Sequence, residues 1–346
     1  MCKENGIILY GAGEFGRRAL NFYGQRHVKS FVDTYKAGTT FMNKSVITFE
    51  ELLDIYQEYD VIVSTATNNS DEIVDKLNEN HIPFHLYVED YNRYILGARD
   101  SNERIAKWRN AFSGKKCVLL GNGPSLSIQD LEKLHQKHVV TFGCNFINKI
   151  YDKTAWRPDF YCCIETSAIL TNIDYIIHGD VQAKFVKDLS STEYENRLSE
   201  SMSDNLCLFN YAYSSEEFSS DPSKLVFDGY TVMFSMLEFA VYLGFSNIYL
   251  LGVDNSQPPE VHTSNFLDEK IHFYDEDESE LKLRKEIMTI HKDYDNYELY
   301  EKNLNKYYGI AKKYTERHDI KIMNATRGGK LEVFERVDFD EVIANW

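Results

Sequence analysis

A short glycine-rich stretch in the middle of the chain has the residue types needed to bind an anion. Four apolar residues, Cys117 to Leu120, run directly into Gly121, Asn122, Gly123, Pro124 and Ser125, and a segment of helical character, SIQDLEKLHQ, comes next. A strand, a glycine turn and a helix N-terminus in this order leave N–H groups and the positive end of the helix dipole available to a phosphate or carboxylate. A plain strand-to-helix turn has the same letters, so spacing alone leaves both interpretations open.

The residue types of this turn predict their structural roles. Gly121 and Gly123 tolerate positive φ and close backbone approach. Pro124 suits the first helical turn, and Ser125 or Ser127 can cap the helix.

Further polar residues come directly after the other predicted strands of this region or begin its helices. Strands are predicted at HVVTF, FYCCI and NIYLL, and a helix at VMFSMLEFAVYLG. Their alternation predicts a doubly wound parallel sheet with its ligand beyond the carboxyl ends of the strands. The side chains expected to meet at this rim, together with the glycine turn, are Asn145, Glu165, Thr231 and Asp254.

A second glycine motif lies at the start of the chain. Gly11, Gly13 and Gly16 form G-x-G-x-x-G between a short apolar strand and a helix, and a second strand ends in Asp33, about 17 residues further on. This is the context of the dinucleotide-binding fingerprint, in which the acid binds a ribose. The one tidy Tyr-x-x-x-Lys match, Tyr308 to Lys312, lies far from this motif. A binding or structural module is therefore favoured over an oxidoreductase.

Residues 6 to 90 contain in order the GAG turn, the strand ending in an acid and the strand DVIVS. With these features the first segment resembles the nucleotide-binding N-terminal module of bacterial sugar-modifying proteins. The resemblance implies a nucleotide or nucleotide-sugar ligand without a particular chemistry.

Length and composition bound the remaining possibilities. A chain of 346 residues accommodates two domains, predicted as a Rossmann-like module at 1–96, a linker helix at 97–115 and a second α/β domain at 116–346. The formal charge of -16 argues against nucleic acid and anionic membrane surfaces as partners. Six cysteines without C-x-x-C spacing, and the lack of a signal-peptide or membrane-spanning pattern, predict a reduced, cytoplasmic protein.

The second domain combines four motifs over residues 115 to 340. They are GNGPSL, the strand ending in Cys-Asn, the Thr-led helix finishing in LGF-x-x-IYL-x-G-x-D, and the C-terminal IMNAT through GGKLEVF. In this combination the domain resembles the family 42 bacterial sialyltransferases, and more broadly the group that includes motility accessory factors and an archaeal hydroxymethylpterin pyrophosphokinase. This resemblance implies that the glycine turn, Asn145 and Thr231 bind the nucleotide-linked donor and that Asp254 ends the central strand at the donor pocket.

The resemblance also implies a histidine base and tyrosines that steady the departing phosphate without a metal. His272 and the neighbouring Tyr274 are the candidates, and His262 and His291 compete with His272. A histidine that titrates near neutrality can take the proton of an acceptor hydroxyl. The family's two-histidine spacing does not occur here.

Two D-x-D patterns would suit a metal-dependent transferase. Asp275-Glu276-Asp277 and Asp293-Tyr294-Asp295 both lie in charged stretches that are typical of a solvated surface. No metal site is therefore predicted.

Together these observations predict a metal-independent, cytoplasmic glycosyltransferase that needs no cofactor besides its nucleotide-sugar donor. The donor is expected to be a CMP-linked nonulosonic acid, the acceptor a glycan or lipid-linked glycan of the cell surface, and the enzyme peripheral at the inner face of the membrane. Two alternatives remain, a diphosphokinase of the pterin type and a nucleotide-sugar-binding protein without turnover. A homo-oligomer is compatible with the sequence.

Overall fold

The structure is a computed structural model that describes residues 6–65, 70–91, 101–189, 198–212, 216–255, 272–278, 280–282 and 297–346. The chain divides into two compact units. Unit 1 comprises Met1–Arg99 with Ala212–Ser215, and unit 2 comprises Asp100–Tyr211 with Glu216–Trp346. Within the described ranges, no helix is both long and apolar enough to cross a membrane.

Unit 1 is built on a six-stranded sheet in the order β3-β4-β2-β1-β5-β6. All neighbours are parallel except the hairpin β3–β4. The strands are β1 Ile7–Tyr10, β2 Val28–Val32, β3 Thr40–Phe41, β4 Lys44–Ile47, β5 Asp60–Val63 and β6 Phe84–Leu86. The helices are α1 Glu14–Tyr23, α2 Phe49–Ile55 and α3 Asp71–Glu79, with a 3-10 turn at Tyr56–Glu58.

The core of unit 1 lies on both faces of this sheet. Ile7 and Leu9 of β1 pack in one cluster with Leu20 of α1, and Ile8 packs in another with Leu52 of α2. Because successive side chains of a strand point to opposite faces, a strand with helices on both sides is apolar throughout. This explains why the short run IILY predicts β1.

Unit 2 contains an eight-stranded sheet in the order β11-β10-β9-β8-β7-β14-β15-β16, in which every neighbouring pair is parallel. Its strands are β7 Lys116–Leu120, β8 Thr141–Cys144, β9 Phe160–Cys163, β10 Ala183–Lys187, β11 Leu206–Phe209, β14 Asn247–Leu251, β15 Lys321–Asn324 and β16 Glu335–Arg336. Two more strands, β12 Tyr211–Ala212 and β13 Val226–Phe227, pair with each other. Two α/β units with parallel sheets, as predicted, are thus confirmed.

The described helices of unit 2 cover the sheet and connect its strands. They are α4 Glu103–Ala106, α5 Ile128–Gln136, α6 Thr166–Thr171, α7 Ile173–His178, α8 Val232–Tyr242, α9 Tyr297–Glu316 and α10 Phe339–Ala344, with 3-10 turns at Ile147–Ile150 and Glu200–Met202. Helix α8 is buried almost all round, and its Phe239 stacks on Phe185 of β10 with ring centroids 4.1 Å apart. Inside α8, Glu238 accepts hydrogen bonds from the N–H groups of Ser219 and Phe227.

The segment expected to form a linker helix at 97–115 is helical in its described part only at α4, and turns continue as far as Gly114. Trp108 and Phe112 pack edge-on against Phe160 of β9, and Phe112 also stacks on Phe245. The apolar side chains at helical spacing therefore cover one end of the unit 2 sheet.

Strands β10 and β11 lie in a region whose sequence has few clear signals. Lys184 is fully buried in the middle of β10 and interrupts its apolar pattern. Its ammonium group donates to the carbonyls of Ile177 and Gly179 and to the hydroxyl of Ser203, and burial lowers its pKa to about 8. Two of these acceptors lie 7 and 5 residues before Lys184 and the third lies 19 residues after it, and the apolar pattern of the strand does not predict that this lysine is internal.

Candidate functional site

The order of the unit 2 sheet reverses direction at β7. Strands β8 to β11 extend to one side of β7, and β14 to β16 extend to the other. In doubly wound sheets the connections diverge at such a point and leave a crevice beyond the carboxyl ends of the two central strands. The glycine turn after β7 and the segment Gly252 to Asp254 after β14 lie at this crevice.

The N–H groups of the glycine turn bond mainly to the end of β14. Gly121 donates to the carbonyl of Leu251 and Gly123 to that of Gly252, both at 2.9 Å. The N–H of Ser125 lies 3.4 Å from Asp254 Oδ2. These three N–H groups, which were expected to face a phosphate, thus hold the turn against the neighbouring strand.

The two glycines are required for this close approach. Neither has positive φ, so the conformational freedom predicted for them is not used. A Cβ at Gly121 would lie 2.3 Å from the carbonyl oxygen of Gly252, and one at Gly123 would lie 1.9 Å from Asp254 Oδ2. The G-x-G spacing therefore reflects the packing of two chain segments side by side.

Helix α5 begins at Ile128, one residue into the segment SIQDLEKLHQ that the sequence predicts to be helical. Its N-cap is Ser127, whose side chain accepts from the N–H of Asp130 while Asp130 accepts from the N–H of Ser127. This reciprocal capping box satisfies the free N–H groups of the first helical turn. Pro124 consequently lies in the exposed turn before the helix, and not in its first turn as expected.

Asp254 braces the turn from the β14 side. Its Oδ2 accepts from the Ser125 hydroxyl at 2.8 Å, and its carbonyl accepts from the N–H of Lys330 at 2.7 Å. Burial raises the pKa of the Asp254 carboxyl, and the hydrogen bonds from Ser125 offset part of this increase. Asp254 thus links the ends of β7 and β14 to the loop after β15.

The side-chain amide of Asn122 has one atom with a hydrogen-bond partner and one without, within the described ranges. Its Nδ2 donates to the carbonyl of Cys144 at the end of β8. Its Oδ1 is buried and has no hydrogen-bond partner within the described ranges. A buried acceptor without a partner is costly, so this oxygen suits an N–H or O–H group of a ligand.

The predicted catalytic residues lie in a segment attached to Asn122. The N–H of Phe273 donates to the carbonyl of Asn122 at 3.1 Å. The rings of His272 and Tyr274 are stacked, with centroids 5.0 Å apart and planes 2° from parallel. The structure therefore brings His272 and Tyr274 together with the glycine turn.

His272 has a carboxylate beside one ring nitrogen. Its Nδ1 lies 3.5 Å from Glu276 Oε1, an ion-pair distance at which no hydrogen bond is formed. Tyr274 is only 3% exposed. Burial, and secondly the charge of Glu280, raise the pKa of its hydroxyl well above the usual value, so Tyr274 remains protonated near neutral pH.

Asn145 comes after β8 in the left-handed region, with φ 49, which asparagine tolerates. Its carbonyl accepts from the Tyr161 hydroxyl at 2.6 Å and from Asn172 Nδ2 at 3.1 Å. Its side-chain Oδ1 accepts from the thiol of Cys163. These bonds hold the residue at the rim, next to the end of β9.

Glu165 and Thr231 occupy the same edge of the sheet further from β14. Glu165 is exposed before α6 and accepts from the Ser167 hydroxyl. Thr231 is the N-cap of α8, and its hydroxyl oxygen accepts from the N–H of Met233. Close by, burial raises the pKa of Asp228, which accepts from Tyr211 and Tyr230. The sequence did not single out Asp228, whose only signal is its place just before Thr231.

In unit 1 the first glycine motif forms a similar turn between β1 and α1. Gly11 has φ 118, and a Cβ at Gly16 would lie 2.1 Å from the Gly11 carbonyl oxygen. Asp33 Oδ2 accepts from the N–H of Ala12 at 2.9 Å. Gly13 is the N-cap of α1, and among the described residues, its chain neighbours aside, no atom lies within 4 Å of the position of a Cβ there.

Several predicted alternatives lie outside the described residues, namely His262, His291 and Asp293-Tyr294-Asp295. Of the other D-x-D pattern, Asp277 binds Lys149 in an ion pair. The described portion of the chain contains no group of three or more His, Cys, Asp or Glu side chains placed to hold a metal ion.

Comparison with known proteins finds similarity to a family model and to solved structures. Residues 92–260 match the family model described as 6-hydroxymethylpterin diphosphokinase MptE-like. This range includes the glycine turn, Asn145, Thr231 and Asp254. The structure of MAf glycosyltransferase from Magnetospirillum magneticum AMB-1 is similar at 14% sequence identity and a TM-score of 0.41, covering 98% of this chain and 58% of that one. No curated protein matches.

Proposed function

We propose that the chain is a nucleotide-dependent transferase that binds its donor in the crevice between β7 and β14, and that it transfers a sugar. The observation that carries the proposal is Asn122, whose buried Oδ1 lacks a partner within the described residues while its carbonyl holds the His272 segment. A ligand that donates to Asn122 Oδ1 would therefore lie beside a candidate base. The amino group of a cytosine and the hydroxyls of a sugar are donors of this kind.

The proposed donor is a CMP-linked nonulosonic acid such as sialic acid. Support comes from the sequence resemblance to the family 42 sialyltransferases, which covers the glycine turn, Asn145, Thr231 and Asp254 together. The acceptor would be a glycan or lipid-linked glycan used in cell-surface polysaccharide synthesis, reached from the cytoplasmic side of the membrane.

In the proposed reaction His272 acts as the general base. Glu276 lies on the Nδ1 side of the ring, so Nε2 is the nitrogen that would take the proton of the acceptor hydroxyl. The acceptor oxygen then bonds to the anomeric carbon as the bond from that carbon to the phosphate oxygen breaks, and CMP leaves. The Glu276 carboxylate would stabilise the imidazolium that forms.

The charge of the departing phosphate needs donors other than the glycine turn. Three N–H groups of that turn bond to the end of β14, so the turn cannot offer them without rearrangement. We assign this part to the Tyr274 hydroxyl, which stays protonated because burial raises its pKa, in a reaction that requires no metal ion.

A second candidate is diphosphate transfer from a nucleoside triphosphate. The observation that favours it is the match of residues 92–260 to a family named for a 6-hydroxymethylpterin diphosphokinase. The same crevice would hold the nucleotide, and the reaction would depend on magnesium. A third possibility, a nucleotide-sugar-binding protein without turnover, predicts binding without product.

For unit 1 we propose a separate nucleotide or nucleotide-sugar site at the start of α1. The support is the open space at Gly13 at the N-terminus of a ten-residue helix, where a phosphate is favoured by the helix dipole. This unit would bind its ligand without catalysing a reaction.

The test starts with the thermal stability of the full chain in the presence of CMP, CDP, UMP, UDP, GDP, ATP and NAD, with and without magnesium. Stabilisation by CMP or CDP without metal, lost in Asn122→Asp and retained in Gly13→Asp, would support the sugar transferase. Stabilisation by ATP only with magnesium would support the diphosphokinase. Stabilisation by no nucleotide would contradict both.

The second step measures CMP release from CMP-sialic acid with a sialylated or galactosylated acceptor. Replacing His272 with alanine is expected to lower kcat/KM by about 10²- to 10⁴-fold, the usual contribution of a general base. His135→Ala, on the exposed end of α5, is the control. Wild-type activity in His272→Ala would remove His272 as the base.

A further inference from the structure

Lys149 connects the His272 segment to the connection between β8 and β9. It lies in the 3-10 turn Ile147–Ile150, and its ammonium group is hydrogen-bonded and ion-paired to both Asp277 and Glu280. The Lys149 side chain is 23% exposed and that of Glu280 is 3% exposed. The pair with Glu280 is thus largely shielded from water, unlike the usual surface pair, whereas the Asp277 side chain is 56% exposed.

The two carboxylates that bind Lys149 also close a turn of the segment. The N–H of Asp277 donates to Glu280 Oε2 at 3.1 Å, and the N–H of Glu280 donates to Asp277 Oδ1 at 3.0 Å. The N–H of Leu281 donates to the Asp277 carbonyl at 3.0 Å. Lys149 therefore holds a turn with its own reciprocal hydrogen bonds.

The other attachment of the segment is at Asn122. The N–H of Phe273 bonds to the Asn122 carbonyl, and the buried ring of Tyr274 stacks on His272. His272 and Tyr274 thus flank Phe273, which is attached to the turn after β7. They lie a few residues before Asp277 and Glu280, which bind Lys149 after β8. Two anchors on adjacent strands restrain both the position and the orientation of a short segment.

The charge of the segment explains why a cation is needed at this point. Between residues 275 and 280 it carries Asp275, Glu276, Asp277, Glu278 and Glu280. Burial alone would lower the pKa of Lys149, but the hydrogen bonds and charges of Asp277 and Glu280 raise it overall. Without Lys149 the nearly buried Glu280 would be left as an uncompensated charge, which strongly disfavours the docked conformation.

We propose that Lys149 is a positioning residue that fixes the His272 segment over Asn122, so that the base faces the acceptor hydroxyl. The inference deepens the proposed transferase function and rests on it. In this role Lys149 acts through Asp277 and Glu280 and does not touch the donor. A misplacement of a catalytic group by about 1 Å can reduce a rate about 100-fold.

Two variants and a matched control test this assignment. Lys149→Met removes the charge and keeps an unbranched side chain, and Lys149→Arg retains the charge. The control is Lys306→Met, which removes the exposed ion pair at 2.6 Å between Lys306 and Glu216. Hydrogen exchange of the full chain, read by mass spectrometry over peptides covering residues 272–282, is compared with steady-state kinetics.

Lys149→Met is expected to accelerate exchange in these peptides about tenfold or more and to lower kcat about 10- to 100-fold, while the affinity for CMP stays within about twofold. Lys149→Arg should recover most of the kcat, and Lys306→Met should change none of these quantities. Unchanged exchange in Lys149→Met would overturn the inference whatever reaction the protein catalyses.

CMP affinity and transferase activity distinguish a failure of this inference from a failure of the proposed function. Loss of CMP affinity in Lys149→Met comparable to that in Asn122→Asp would overturn the positioning role, because Lys149 would then contact the donor. A wild-type protein without transferase activity would contradict the proposed function, and the role of Lys149 for the segment would then be decided by exchange alone.

Discussion

The two glycine turns of the molecule are held in the same manner. In unit 1, Gly11 donates to the Val32 carbonyl at 2.8 Å, and in unit 2, Gly121 donates to the Leu251 carbonyl at 2.9 Å. In each case an acid beyond the neighbouring strand accepts from the turn, Asp33 in one unit and Asp254 in the other. A glycine turn after a central parallel strand thus uses part of its hydrogen-bonding capacity within the fold.

The turns differ in how the next helix begins. Gly13 is itself the N-cap of α1, with no side-chain cap, whereas α5 starts after Ser127 with a complete capping box. The first turn therefore leads directly into an uncapped helix N-terminus, and the second presents the side chain of Asn122 and the His272 segment. Similar G-x-G letters accordingly occur in two different local structures.

The largest expected effect concerns the glycines that make close contacts. Gly123→Ala and Gly16→Ala should each destabilise the protein by about 3 kcal/mol, at the upper end of the range for overpacking, since their Cβ atoms would lie 1.9 Å and 2.1 Å from existing oxygens. Gly13→Ala should cost about 1 kcal/mol or less. Urea unfolding measures all three, and equal costs at Gly13 and Gly123 would contradict the comparison.

A charge placed in either turn should separate the two proposed sites. Asn122→Asp is expected to weaken CMP binding about 10- to 100-fold, because a carboxylate cannot donate to Cys144 and repels a phosphate. Gly13→Asp should weaken only the ligand of unit 1 to a similar degree. His135→Ala, at the exposed end of α5, is the control. Calorimetric titration with nucleotides measures both effects. If one of the two variants abolished the binding of every nucleotide, the proposal of two separate sites would be contradicted.

Asp254 should make the stability of unit 2 depend on pH. Burial raises its pKa in the folded protein, so its contribution to stability is present below the unfolded pKa of about 4 and is lost as pH rises through the folded pKa. Relative to Asp254→Asn, the free energy of unfolding of the wild type should decrease by up to about 1.4 kcal/mol per pH unit between the unfolded and the folded pKa.

Asp340→Asn is the matched comparison for that measurement. Hydrogen bonds from Lys133 and Arg327 lower the pKa of Asp340, so its contribution is lost as pH falls. Urea unfolding between about pH 2 and pH 7 should show slopes of opposite sign, with the Asp340 effect below about pH 4 and the Asp254 effect above it. Parallel slopes for the two variants would contradict the assignment for Asp254.

The smallest effect concerns the helix caps. Ser127→Ala should cost about 1 kcal/mol, because it removes the hydrogen bond to the N–H of Asp130. Gly13→Ser should stabilise α1 by about 0.3 kcal/mol, because this helix begins without a side-chain cap. Thermal unfolding measures both changes as shifts of Tm. Shifts of the same sign in the two variants would contradict the difference in capping between α1 and α5.

Much of the fold can be read from local pattern. The short apolar runs of β1, β7 and β14 predict buried parallel strands. Asp33 after β2 and Asp254 after β14 lie at the carboxyl edges of their sheets because strand direction determines where a strand ends. Strand β10 could not be predicted in this way, since its buried Lys184 interrupts the apolar run and finds its acceptors at the C-terminal end of α7 before the strand and at Ser203.

For the candidate site, the sequence by itself determined the residue types at the rim: the glycine turn, Asn145, Glu165, Thr231 and Asp254. Only the tertiary structure decided what they do there. It pairs the turn's N–H groups with β14, leaves Asn122 Oδ1 without a described partner, and attaches the His272 segment through Lys149. Hydrogen bonds between segments more than a hundred residues apart depend on how the strands are ordered in the sheet, and local sequence does not encode that order.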